Sequence, residues 1–148
     1  MATEKDFRIK FRRLTGAEGL PLPSKAHAGD AGFDLCAKED GRVRKCKLVE
    51  TGFAVAIPEG WVGLLMIRSS VGVKYGVGLA NDVGVIDSGY RGEIKVALQN
   101  RGDQSYIYKR GDRIAQLVIV PCYSQQSVEV LDLDDTQRGG GGFGSSGK

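Results

Sequence analysis

The chain has 148 residues, room for one domain by the usual ~100 to 200 residues per domain. Its 21 basic and 18 acidic residues leave a net charge of +3, too mild and too mixed for a dedicated nucleic-acid binder. With 41% hydrophobic and 26% charged residues it is not a disordered chain, and no apolar run approaches the ~18 residues that would span a bilayer.

The opening stretch has no apolar core followed by small residues and carries Glu4 and Asp6, which argues against a targeting peptide. Phe7, Ile9 and Phe11 alternate with Arg8, Lys10 and Arg12, the period-two pattern of a half-buried strand. Cys36, Cys46 and Cys122 form an odd set without a CxxC pair, and His27 is the single histidine. Neither a disulfide framework nor a zinc site is expected, and the protein reads as cytoplasmic or nuclear rather than secreted. Phe53, Val55 and Ile57 alternate next, and Pro58-Glu59-Gly60 turns the chain into the apolar run Trp61 to Ile67, a predicted hairpin. Ser69 to Tyr75 is the best helical stretch, one or two turns at most. A second predicted hairpin joins Val83–Ile86 to Ile94, Val96 and Leu98 through the turn at Asp87 to Tyr90. Turn signals at Asn100 to Asp103 precede Tyr106 and Tyr108, and the run Leu117 to Val120 follows.

Short strands with frequent turns and 22 glycines imply an all-β jelly roll, sandwich or barrel over residues 1–137. Residues 138–148, rich in Gly and Ser, have no apolar pattern and read as a mobile tail. That tail holds one Arg for anions, one Phe for stacking, and Gly and Ser groups that can wrap oxygens, the parts of a phosphate clamp. It is not a Walker loop, since no Gly-Lys-Ser or Gly-Lys-Thr follows a strand. Asp87 sits at the tip of a turn, where an Asp ordinarily bonds its own backbone but could instead polarise a water. Arg68, Ser69 and Ser70 end an apolar strand and could grip phosphate, whereas Lys109, Arg110 and Arg113 read first as a solvated turn.

Five segments in order alter that balance: Ala31-Gly-Phe-Asp-Leu35, Arg68-Ser-Ser-Val-Gly-Val-Lys74, Gly84-Val-Ile-Asp-Ser-Gly-Tyr-Arg-Gly92, Gly111-Asp-Arg-Ile-Ala-Gln-Leu117, and Arg138 through Gly147. From about Ala28 to Gly147 the chain resembles the homotrimeric dUTP pyrophosphatase (dUTPase) family. The resemblance implies a jelly-roll-like subunit in a threefold trimer with shared sites, hydrolysing dUTP to dUMP and pyrophosphate with Mg²⁺. By the same resemblance, Asp87 orients and deprotonates the attacking water, and Asp34 holds waters of the Mg²⁺ shell. Arg68, Ser69, Gln116 and Arg138 bind the triphosphate, and Gly144, Ser145 and Ser146 belong to the tail that closes around it. Uracil is read by main-chain groups of Gly84 and Ile86 and by the Asn81 side chain. Tyr90 packs against the deoxyribose, Phe143 stacks on the base, and Lys95 is a further contact. Ile67 and Ser70 stand where the family commonly has Pro and Gly, and Asp30 stands where it often has Ser. A dCTP deaminase of related fold, a non-catalytic nucleotide-binding regulatory module and a Gly-rich RNA-binding protein are the competing readings. Neither nucleic acid nor a membrane is an expected partner.

Overall fold

A computed structural model describes residues 7–145 and Gly147. Its ten strands begin with β1 (Lys10–Arg13), β2 (Gly32–Cys36), β3 (Gly41–Val43), β4 (Cys46–Ala56) and β5 (Trp61–Ile67). The helix α1 (Ser69–Tyr75) follows, then β6 (Val77–Leu79), β7 (Gly84–Ile86), β8 (Glu93–Asn100), β9 (Tyr106–Tyr108) and β10 (Arg113–Pro121). One four-stranded sheet has the order β1, β4, β8, β6, another β2, β10, β5, β7, and β3 pairs with β9 as a ribbon. All the pairings are antiparallel.

Period-two side chains dictate where the core lies. Along β8, Ile94, Val96, Leu98 and Asn100 are buried, whereas Lys95 and Gln99 are exposed. Leu35, Val55, Leu65, Leu79, Ile114 and Leu117 from both four-stranded sheets join Ile94, Val96 and Leu98 in one cluster. Burying such side chains stabilises the fold by about 1.5–3 kcal/mol each. The first strand starts at Lys10 rather than Phe7, because its partner β4 ends at Ala56, opposite Lys10; Phe7 lies instead against Trp61, with ring centroids 4.5 Å apart.

Two expected hairpins are corrected. The turn at Pro58 to Gly60 joins β4 of one sheet to β5 of the other, and the turn after Ile86 likewise leads from β7 to β8 across the sandwich. Alternation marks a strand with one face inward, but two facing sheets share that inward side, so the pattern does not say which strand pairs with which. The helix matches its predicted bounds. Val71 is its only buried residue, and Gly76 ends it at φ 65°, a left-handed turn in which its N–H reaches the Gly72 carbonyl.

Asn100 holds the β8–β9 turn from inside. Its Nδ2 donates to the Val43 and Gln104 carbonyls at 3.1 and 2.7 Å, and its Oδ1 accepts the Gly102 N–H at 2.9 Å. Asn100→Ala is expected to lower the unfolding free energy by about 1–3 kcal/mol, because it strands these buried groups. Denaturant titration would show this as a lower midpoint, and an unchanged midpoint would mean the turn holds without it. Among the described residues no helix is long and apolar enough to cross a membrane.

Candidate active site

Ten of the predicted site residues line two separate clefts, and Ser70 and the tail residues line neither among those described. The first, of ≈ 370 Å³, lies where β7 leaves its sheet for β8 and is lined by Asn81, Gly84, Ile86, Asp87, Tyr90 and Lys95, with apolar walls from Leu48, Leu65, Ile94 and Ala97. Strand β7 is the edge of its sheet, with Gly84 opposite Leu65 and Ile86 opposite Gly63 on one side only. Half of its main-chain donors and acceptors therefore have no strand partner.

Asp87 is the exposed residue next after β7. Its main-chain carbonyl accepts the Tyr90 N–H at 3.0 Å, which forms the turn. Among the described residues, no hydrogen bond or ion pair engages its carboxylate, so the usual turn-forming use of an Asp side chain is not made here. Lys95 reaches the cleft wall, but its Nζ lies 3.2 Å from the Glu50 carboxylate, which also holds Lys38 at 3.1 Å. The hydrogen bond from Lys38, and then that from Lys95, holds the Glu50 carboxyl below its ordinary range.

A second, polar cleft contains Asp34, Arg68, Ser69 and Gln116, together with Ala26, Asp30, Ala31 and Gly32. Two of these, Asp34 and Arg68, form an ion triplet with Arg113, which stands outside the lining. Arg68 Nε lies 2.9 Å from Asp34 Oδ1, and Arg113 Nη1 lies 3.0 Å from Oδ2. Asp34 uses one site on each oxygen and keeps further lone pairs, and the terminal nitrogens of Arg68 remain as donors for an anion. Gln116, opposite Asp34 across β10 and β2, lies over Gly32, where a Cβ would stand 2.4 Å from its Oε1. Asp30 accepts the His27 N–H at 2.9 Å and so closes the loop before β2. Ser70 lies in the first turn of α1, is exposed, and lines neither cleft. It does not share the positive φ of Asp82 and Phe143, so the helix start does not require the family's more common glycine there.

Among the described residues, the tail reaches neither cleft. Arg138 Nε donates to the Gly141 carbonyl at 2.9 Å, Phe143 is fully exposed, and Gly144 and Ser145 lie in an exposed turn. Ser146 lies outside the described residues. Arg113 is the participant that sequence reasoning missed. It lies one residue after the Gly111-Asp112 turn, and only the pairing of β10 with β2 brings it to Asp34. Its neighbour Arg110 is not merely solvated, since its guanidinium bonds the Gly16, Lys38 and Glu18 carbonyls.

An all-β sandwich with an open strand edge beside an unengaged carboxylate, and a separate cleft containing an arginine and polar side chains, defines a class of fold suited to a nucleoside polyphosphate. The dUTPase family profile matches residues 18–147, and the chain belongs to that family. The deoxyuridine 5'-triphosphate nucleotidohydrolase of Zymomonas mobilis is 45% identical over 142 residues, covering 95% of this chain and 97% of the relative. The enzyme of the same name from Mycobacterium leprae is 50% identical over 137 residues, covering 87% and 89%. Among solved structures, a mutant dUTPase of Staphylococcus bacteriophage 80alpha with dUpNHpp superposes with a TM-score of 0.86 at 29% identity, covering 95% of this chain and 99% of that one. A mutant dUTPase of phage phi11, described with a structural Mg(II) ion, has a TM-score of 0.79 at 27% identity and covers 87% and 100%.

Proposed function

We propose that this chain hydrolyses dUTP to dUMP and pyrophosphate, with Asp87 as the base for the attacking water. The observation that carries this reading is the unengaged Asp87 carboxylate beside the open edge of β7. Water oxygen attacks the α-phosphorus, the bond from that phosphorus to the bridging oxygen breaks, and pyrophosphate leaves. The water proton passes to Asp87. Holding water and phosphorus in line supplies much of the rate.

Uracil pairs with the main chain of Gly84 and Ile86 as one more strand partner, with Asn81 at its side. Cytosine reverses the donor and acceptor at positions 3 and 4 and leaves groups unpaired, a mismatch that discriminates by ~10⁴ or more. Tyr90 packs against the deoxyribose. Arg68, Ser69 and Gln116 take the triphosphate, while Arg113 holds Asp34 so that Arg68 is presented in one orientation.

These residues fit Mg²⁺ that arrives with the substrate. Among the described residues no group of three His, Cys, Asp or Glu forms a cage, and Asp34 keeps lone pairs for metal-bound water. When bound, the ion neutralises and polarises phosphate oxygens. The structural Mg(II) ion of the phi11 enzyme supports Mg²⁺ as the kind of ion and says nothing of its arrival with the substrate.

The two clefts share no lining residue, which supports sites built between subunits of a homotrimer. So does the segment after β10, where Tyr123, Val128, Leu131 and Leu133 are exposed. In this arrangement the tail closes over a neighbour, bringing Arg138 to phosphate, Phe143 onto uracil, and Gly144, Ser145 and Ser146 around the substrate. Three free cysteines fit a reducing cytoplasmic or nuclear compartment.

Pyrophosphate release measured with dUTP, dCTP, dTTP and UTP tests the function. Release from dUTP far faster than from the other three is expected, and deamination of dCTP or release from none would overturn it. Chelating Mg²⁺ should stop turnover and leave the thermal midpoint unchanged. A large fall in midpoint would mean that the ion is structural.

A further inference from the structure

The turn after Asp87 is tied together by its own groups. Arg91 Nη1 donates to the Ser88 and Tyr90 carbonyls at 2.6 and 2.9 Å, and the Tyr90 hydroxyl donates to the Glu93 carbonyl at 2.9 Å. The Glu93 carboxylate accepts the Gly52 N–H at 2.8 Å, which anchors the start of β8 to the irregularity in β4. Between these fixed points Tyr90 folds back until its ring lies on Gly92. A Cβ at position 92 would stand 2.5 Å from the Tyr90 hydroxyl oxygen, 2.7 Å from Cζ and 3.0 Å from Cε2. Gly92 is not among the glycines with positive φ, so this position requires glycine for space and not for backbone freedom.

We propose that Gly92 is a positioning residue for sugar discrimination: its missing side chain lets the Tyr90 ring occupy the cleft wall where a ribose 2′-hydroxyl would otherwise fit. This rests on the reading above that Tyr90 packs against the deoxyribose. A methyl at residue 92 is carried by the main chain between two anchored neighbours, whereas the ring is the far end of a side chain. The ring is what moves. It swings away, loses its bond to the Glu93 carbonyl, and opens the space that excluded ribose.

Steady-state kinetics with dUTP and UTP on wild type, Gly92→Ala, Tyr90→Ala and the double variant test this. Tyr90→Ala is expected to lower the preference for dUTP by ~10-fold or more. Gly92→Ala should lower it comparably, chiefly through a lower KM for UTP, with little change in thermal midpoint. The double variant should match Tyr90→Ala, since the two changes act through one ring. A Gly92→Ala enzyme with wild-type preference overturns the proposal, as do losses that multiply in the double variant. Tyr90→Ala with wild-type preference would sink the sugar-packing reading itself and the role of Gly92 with it. Should Gly92→Ala alone not fold, recovery of folding in the double variant would establish the clash with the ring, and an unfolded double variant would refute it.

Discussion

Asp87→Asn is expected to cut kcat by ~10² to 10⁴, the usual loss when a general base is removed, while dUTP binding stays close to wild type. The structure sharpens this expectation. Among the described residues the Asp87 side chain has no bond to lose, and the turn is closed by its main-chain carbonyl and the Tyr90 N–H. Asparagine keeps the shape, so neither the fold nor the open edge of β7 should change. The loss should appear in kcat, with the thermal midpoint and a nucleotide titration unaffected. A full-speed variant would remove Asp87 from the mechanism and leave the family assignment standing.

A chain cut after Gln137 should fold, assemble and bind dUTP weakly, yet turn over on the order of 10²-fold more slowly, because phosphate and water are no longer held in line by a closed lid. Folding should survive because the last described strand ends at Pro121, and among the described residues Arg138 and Gly139 bond locally, to Gly141 and Thr136. Mixing separates donated from self-serving tails. If tails are exchanged, co-refolding this truncation with Asp87→Asn makes sites that combine Asp87 from a truncated chain with a tail from the other variant. Activity should then reappear in a mixture of two slow enzymes. If each tail serves its own Asp87, no mixed trimer has a complete site, and activity stays at parental level whatever the ratio. That result, with mixed trimers confirmed by mass, would sink the donated lid alone.

Much of this was legible in one dimension. Alternation along Phe53 to Ile57 and Ile94 to Leu98 marks strands, because a pleated strand puts every second side chain on one face. The stretch Ser69 to Tyr75 read as a short helix and is one. The five segments carried the family, since each places unusual residue types at fixed spacing on short turns. They also contain Gly84, Ile86, Asp87 and Tyr90 of one cleft and Asp34, Arg68, Ser69 and Gln116 of the other, whereas Asn81 and Lys95 of the first cleft lie outside them and were named only by the resemblance.

Partner choice was not legible, and it decides the rest. Local pattern tells a strand which side is inward but not which of two sheets it joins, so β4–β5 and β7–β8 read as hairpins although each pair crosses the sandwich. Pairing of β10 with β2 carries Arg113 across 79 positions of sequence to Asp34, a contact no local spacing encodes. Space is equally silent: Gly92 reads as one more turn glycine until the Tyr90 ring is seen lying on it. Sequence by itself determined the strands, the family and most of the chemical groups, because residue type and alternation are local properties. Tertiary structure alone decided which groups meet, which carboxylate stays unengaged and which cleft each residue faces, because those depend on the packing of strands far apart in the chain.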